Sequence, residues 1–175
     1  MPKTYTTAGS AVAGDVYTAS AHNVIVTDVN NFIVPSMCVT TGVNTAQSFA
    51  HATFTTVQFN GADSIDTDAI HDTVTNNTRF TCNTTGLYIV TFTAQINSTV
   101  VTQYILDLRL NATSSIGENA SPLAASAARG SVSALIHLTA ATDYIEARIY
   151  QESTGATART VAGARMSLCW IGRQS

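Results

Sequence analysis

The chain has 175 residues, 45% of them hydrophobic, which is enough to bury one domain-sized core. Its charged fraction is 11%, less than half the usual ~25%. With a net charge of −3, Lys3 as the lone lysine and no window of ~18 apolar residues, neither nucleic-acid binding nor membrane insertion is expected.

Thr, Ser, Asn and Ala take the places that charges usually hold. A lone soluble monomer keeps more charge on its surface, so this composition points to a protein that buries surface in an assembly. A Thr-rich β-surface is the plainer alternative.

Residues 1–16 are small and polar, with Gly9 and Gly14, and read as an extended arm. Residues 18–33 read as a short helix capped by Thr18. Ile25, Val29, Phe32 and Ile33 fall at i, i+4, i+7 and i+8 and form one apolar stripe. Pro35 stops it. Residues 36–48 read as a Thr-rich connector. Residues 51–59 alternate weakly, and Asn60-Gly61 is a turn signal. Residues 63–75 read as a polar loop or short edge strand.

The central pair follows. Residues 79–82, including Phe80, are extended, and residues 83–86 turn, with Gly86 free to take the positive φ that turn ends need. Tyr88, Val90, Phe92, Ala94 and Ile96 then recur with period 2, so one face of this strand is buried. Leu87 and Ile89 lie on the opposite face, so its first part is expected to be covered too, by another subunit. Tyr104, Leu106, Leu108 and Leu110 give the next strand, with Asp107 and Arg109 facing away. Residues 111–129, rich in Ser, Ala and Asn, read as a loop. Val132, Ala134, Ile136 and Leu138 form a strand. Ile145, Ala147 and Ile149 form another, with Tyr144, Glu146, Arg148 and Tyr150 outside. Met166, Leu168 and Trp170 close the sheet. About eight short strands separated by turns predict an all-β sandwich.

Little in this pattern carries reaction chemistry. The sequence has no nucleophile elbow, no zinc-protease helix motif and no phosphate loop. Asp107 and Glu146 each lie two residues from an arginine, Arg109 and Arg148, and read as structural salt bridges. His137 sits on a strand face opposite Ile136 and reads as interfacial or satisfied by a neighbour rather than catalytic. Cys38, Cys82 and Cys169 cannot all pair within one chain, and Cys82 and Cys169 read as small core residues. Asp63, Asp66, Asp68 and Asp72 form the one acidic run that could attract calcium, but it lacks the glycine and closing glutamate of a calcium loop. Solvated loop carboxylates are the better reading, and no metal or cofactor is expected.

Phe80, a polar turn and then Gly86-Leu87-Tyr88-Ile89-Val90-Thr91-Phe92 resemble the central signature of the complement-one-q and tumour-necrosis-factor-like jelly rolls. Asp66-Thr67-Asp68 through His71-Asp72 to Phe80 is similar to the bacteriophage branch of that family. Met166 to Gly172, with Trp170, resembles its final strand. The likeness spans roughly residues 49–172. It implies an antiparallel jelly roll of the complement-one-q/tumour-necrosis-factor type and a homotrimer, with Phe80, Gly86, Tyr88, Val90, Phe92 and Trp170 in the core and trimer-forming part. It implies no chemistry. Residues 13–32 are similar to a segment at the start of many actinobacteriophage tail and fibre proteins.

The expectation is therefore a non-enzymatic virion protein assembled in the bacterial cytoplasm. Residues 1–35 would be an arm and anchoring segment, helical or extended, with its stripe Ile25, Val29, Phe32 and Ile33. Residues 36–48 would be a connector and residues 49–175 the knob. Its partners would be two further copies of itself, other virion proteins of tail or capsid, and a glycan or protein of the host surface. A tail or fibre address leads. Capsid decoration, a bacterial lectin-like module and a glycan hydrolase remain as alternatives; the last would need paired carboxylates in a cleft.

Overall fold

A computed structural model describes residues 34–40, 42, 47–96, 101–122 and 128–173, together with Ser20, His22, Asn23, Ile25, Val26 and Val29. The elements are β1 (Met37–Thr40), β2 (Ser48–Phe49), β3 (Thr55–Thr56), β4 (Asp63–Asp66), β5 (Phe80–Thr81), β6 (Gly86–Ile96), β7 (Val101–Leu110), β8 (Ser114–Pro122), β9 (Ala128–Leu138), β10 (Tyr144–Ser153) and β11 (Arg159–Gly172). Sheet one runs β4-β1-β11-β6-β9, with β2 also paired to β11. Sheet two runs β3-β10-β7-β8, with β5 also paired to β10. All strand pairs are antiparallel, and the chain crosses between the sheets after β6, β8, β9 and β10, as in a jelly roll.

The period-2 pattern of β6 sets the core. Tyr88, Val90, Phe92 and Ile96 are fully buried and face Leu106, Leu108, Ile145 and Ile149 of sheet two. Each such side chain contributes about 1.5–3 kcal/mol by leaving water. Phe59 packs edge-on to Phe80 at 5.2 Å and to Phe92 at 6.1 Å, closing one end of the interior.

Two stretches differ from the sequence reading. Residues 37–40, read as part of a connector, form a strand. β1 sits inside sheet one between β4 and β11, so the sandwich begins at Met37 rather than at residue 49. Its Thr content hides it, because Thr40 is buried and its hydroxyl accepts the Met166 N–H at 3.1 Å. Residues 111–129 are not all loop either. β8 pairs with β7 from Gln103↔Pro122 to Leu110↔Ser114. As an edge strand with Ile116 packed against the core, it needs backbone pairing more than apolar alternation.

Candidate functional site

The turn into β6 is fixed from three sides. Gly86 has φ +141°, and a Cβ there would lie 2.3 Å from Trp170 Nε1 and 2.6 Å from the Gly172 carbonyl oxygen. Trp170 Nε1 donates to the Thr85 carbonyl at 3.1 Å, and the Tyr88 hydroxyl donates to the Thr84 carbonyl at 2.7 Å. Of the residues singled out from the sequence, the structure thus brings Gly86, Tyr88 and Trp170 together. It places Phe80, Val90 and Phe92 beside them in the core.

The outer face of sheet one carries a row of open apolar side chains. Met37, Cys169, Ile89 and Leu135 line up as successive register partners across β1, β11, β6 and β9. Ile89 is 46% exposed and Leu135 62%. On the adjacent rungs lie Leu87 opposite His137 and Val39 opposite the exposed Ile65, while Ile171 projects from a bulge in β11. The rest of the face is hydroxyl-rich. Thr91 and Ser133 hydrogen-bond at 3.0 Å, and the arginines of this face, Arg129 and Arg165, stand toward the far end of β6. The Cys169 thiol is half-buried in the apolar row, and burial pushes its pKa up, so it behaves as an apolar group. The sequence flagged Leu87 and Ile89. Leu135 carried the same signal, an apolar residue out of phase with Val132, Ala134 and Ile136, and was missed.

The outer face of sheet two is closed by its own charges. Asp107 is buried and accepts two hydrogen bonds from Arg148, Nη2 at 2.7 Å and Nε at 3.1 Å, and one from the Ser115 hydroxyl at 2.6 Å. Glu146 accepts from Thr78 at 3.0 Å and pairs with Arg79 at 3.4 Å. Arg79 lies 4.3 Å over the Tyr144 ring and Arg148 4.5 Å over Phe54. Of the two pairs expected from sequence, Asp107 lies 3.8 Å from Arg109, but Arg148 turns to Asp107 and Glu146 takes Arg79, so the principal partners run across the sheet. Directly opposite residues approach more closely than i and i+2 along one strand.

The acidic run does not converge on one point. The Asp68 carboxylate is buried and accepts the Ser36 hydroxyl at 2.5 Å and the Thr84 hydroxyl at 2.7 Å. Asp72 accepts the Val74 and Thr75 N–H groups, which hold its carboxyl below the usual range. Asp66 accepts backbone N–H groups from Asp68, Ile70 and His71 at 2.9–3.3 Å. Asp63 faces His71 instead, with Nδ1 at 3.0 and 3.1 Å from its two oxygens. Burial raises the Asp63 carboxyl, and His71 opposes that rise. Carboxylate oxygens of Asp63 and Asp66 and the Cys38 sulfur lie within 4.8 Å of one another. The sequence did not associate Cys38 or His71 with the acidic run.

Of the proposed anchor residues, Ile25 and Val29 are helical and exposed, whereas Phe32 and Ile33 lie outside the described residues. No described helix is long and apolar enough to cross a membrane.

No protein-family model matches the sequence, and no curated protein matches it. Solved structures match the fold. The globular domain of zebrafish complement 1qA protein aligns over 80% of this chain and 100% of its own, with 17% identity and a TM-score of 0.60. Murine APRIL aligns over 78% of this chain and 98% of its own, at 12% identity and a TM-score of 0.56. Eiger TNF from S. frugiperda aligns over 79% and 94%, at 14% identity and a TM-score of 0.53. The fold is an all-β jelly roll of the complement-one-q and TNF-like kind.

Proposed function

We propose that the chain is a non-enzymatic structural protein of a bacteriophage virion. It is a homotrimeric jelly-roll knob held to the particle by residues 1–35, placed in the tail or its fibres and directed at the host surface. The observation that carries the self-association is the outer face of sheet one. It presents an apolar row, Met37, Cys169, Ile89 and Leu135, on a scaffold whose other outer face is closed by ion pairs. Exposed apolar surface of this kind marks contact sites. The occupant is a further copy of the chain, as the low charge and the family resemblance both suggest. The phage setting rests on the likeness of residues 13–32 and 66–80 to phage proteins.

The test is removal of residues 1–34. This cut keeps Pro35 and Ser36, whose carbonyls accept the Thr67 hydroxyl at 2.7 Å and the Trp170 N–H at 2.8 Å. The truncated chain should fold and stay out of particles. Immunogold labelling of particles carrying the full chain should mark tails. Normal incorporation of the truncated chain contradicts the anchor, and label on heads alone moves the address to the capsid.

A further inference from the structure

We propose that the recess walled by the β4–β5 connection binds one neutral sugar residue, held by Asp72, Asn76, Arg79 and Thr81. The site stands apart from the virion reading. The recess measures about 150 Å³, opens to solvent, and is bordered by Ile70, Asp72, Thr75, Asn76, Arg79 and Thr81. A water molecule takes about 30 Å³ of liquid, so there is room for about five. That is the size of one sugar ring, more than a lone ion needs and less than a drug-sized cleft.

The walls are fixed before any ligand arrives. Residues 67–79 join β4 to β5 with no strand or helix of their own. Ordered connections of that length are commonly functional. This one is pinned along its course. Asp66 accepts the Asp68, Ile70 and His71 N–H groups, and Asp72 Oδ1 accepts those of Val74 and Thr75 at 2.8 and 2.9 Å. The Thr81 N–H donates to the Ile70 carbonyl at 2.8 Å, the Arg79 N–H to the Asn76 carbonyl at 2.9 Å and the Phe59 N–H to the Asn77 carbonyl at 2.8 Å. His71 stacks on Phe80 at 4.4 Å and 8°. Ala69 and Asn76, both bordering the recess, hold φ at 49° and 58°, a conformation that persists only where the surroundings enforce it. A preformed site loses little freedom on binding.

The walls also leave hydrogen-bonding capacity unused. Asp72 Oδ2, the Thr75 and Thr81 hydroxyls, the Asn76 amide and the terminal nitrogens of Arg79 have no hydrogen-bond partner among the described residues. Arg79 is held from its other side, with Nε 3.4 Å from Glu146 and the guanidinium 4.3 Å over the Tyr144 ring. His71 borders the recess too, but Asp63 and the Asn77 carbonyl engage its two ring nitrogens. The recess thus has one group that only accepts, one that only donates and three that do both. Sugar hydroxyls donate and accept, so they match this mixed set, and Ile70 offers an apolar wall to the C–H groups of a ring. One carboxylate and one guanidinium cancel, which favours a neutral ligand over an anion or a cation.

Saturation-transfer NMR of the full chain with the methyl glycosides of glucose, galactose, mannose and N-acetylglucosamine tests this, beside glucuronate as a charged probe and acetyl-alanine amide as a peptide-like one. At least one neutral glycoside should receive saturation, and titrating it should shift the amide signals of residues 69–81 ahead of all others. Arg79→Ala should weaken that binding at least about tenfold and Thr81→Val about threefold. Arg79 is 44% exposed, so its loss leaves the fold intact and reads as lost binding. Val74→Ala, on the same connection but outside the recess, should bind as the wild type does. No saturation of any neutral glycoside, preference for glucuronate or the amide, shifts centred elsewhere, or unchanged binding by Arg79→Ala overturns the site. If Thr81→Val does not fold, the wild-type shifts and Arg79→Ala decide. Particle incorporation is read separately, so the sugar site and the virion reading can each fail alone.

Discussion

The two outer faces of the sandwich solve the same problem in opposite ways. Each belongs to a sheet whose inner face is packed with Tyr, Phe, Leu and Ile. Sheet two covers its outside from its own chain, with Asp107 and Glu146 neutralised by Arg148 and Arg79 and the arginines laid over Phe54 and Tyr144. Sheet one leaves Ile89 and Leu135 open and sets hydroxyls, not charges, around them. A face that satisfies itself needs no partner. A face that exposes a row of apolar side chains gains about 25 cal/mol per Å² when one covers it. On the proposed reading, the difference gives stability to one face and association to the other.

Substitutions should separate these roles. Gly86→Val should have the largest effect, because its Cβ would collide with Trp170 and Gly172 and a β-branched residue at φ +141° is strained. Soluble folded protein should be lost, read as the absence of a cooperative thermal transition. Asp107→Ala comes next. It strands Arg148 beside the site of a buried carboxylate and should cost about 3 kcal/mol in denaturant unfolding. Arg79→Ala should cost less than about 1 kcal/mol, because that arginine is 44% exposed and its pair with Glu146 is partly screened.

The smallest effect concerns acid. Asp143 is held below the usual aspartate pKa mainly by the Asn111 amide at 2.9 Å, helped by the Ala140 and Thr139 N–H groups, while burial opposes the shift. A depressed folded pKa contributes stability that is complete above the unfolded value, about 3.9, and is lost as pH falls through the folded one. Asp143→Asn should therefore flatten part of the fall in melting temperature below about pH 4. An unchanged slope would mean that the carboxylate adds nothing.

The sequence made β6 legible because its burial obeys one period without a break, and Gly86 legible because a turn there needed a residue without a Cβ. The out-of-phase Leu87 and Ile89 marked a second apolar face before any strand was placed. β1 and β8 were not legible, since a buried threonine and a polar edge strand follow backbone hydrogen bonding rather than apolar alternation. The approach of Cys38 and of His71 to Asp63 was out of reach for another reason. Their separation along the chain is closed only by the pairing of β1 with β4 and by the return of the chain to Phe80.

The central claim is that the outer face of sheet one joins copies of the chain, and light scattering of the wild-type protein beside Leu135→Glu tests it most directly. Leu135 is 62% exposed, so the substitution should leave circular dichroism and the melting transition of the isolated chain intact. At micromolar concentration the wild-type protein should weigh three chains and the variant one. A wild-type monomer, or a variant that remains a trimer, would contradict the account.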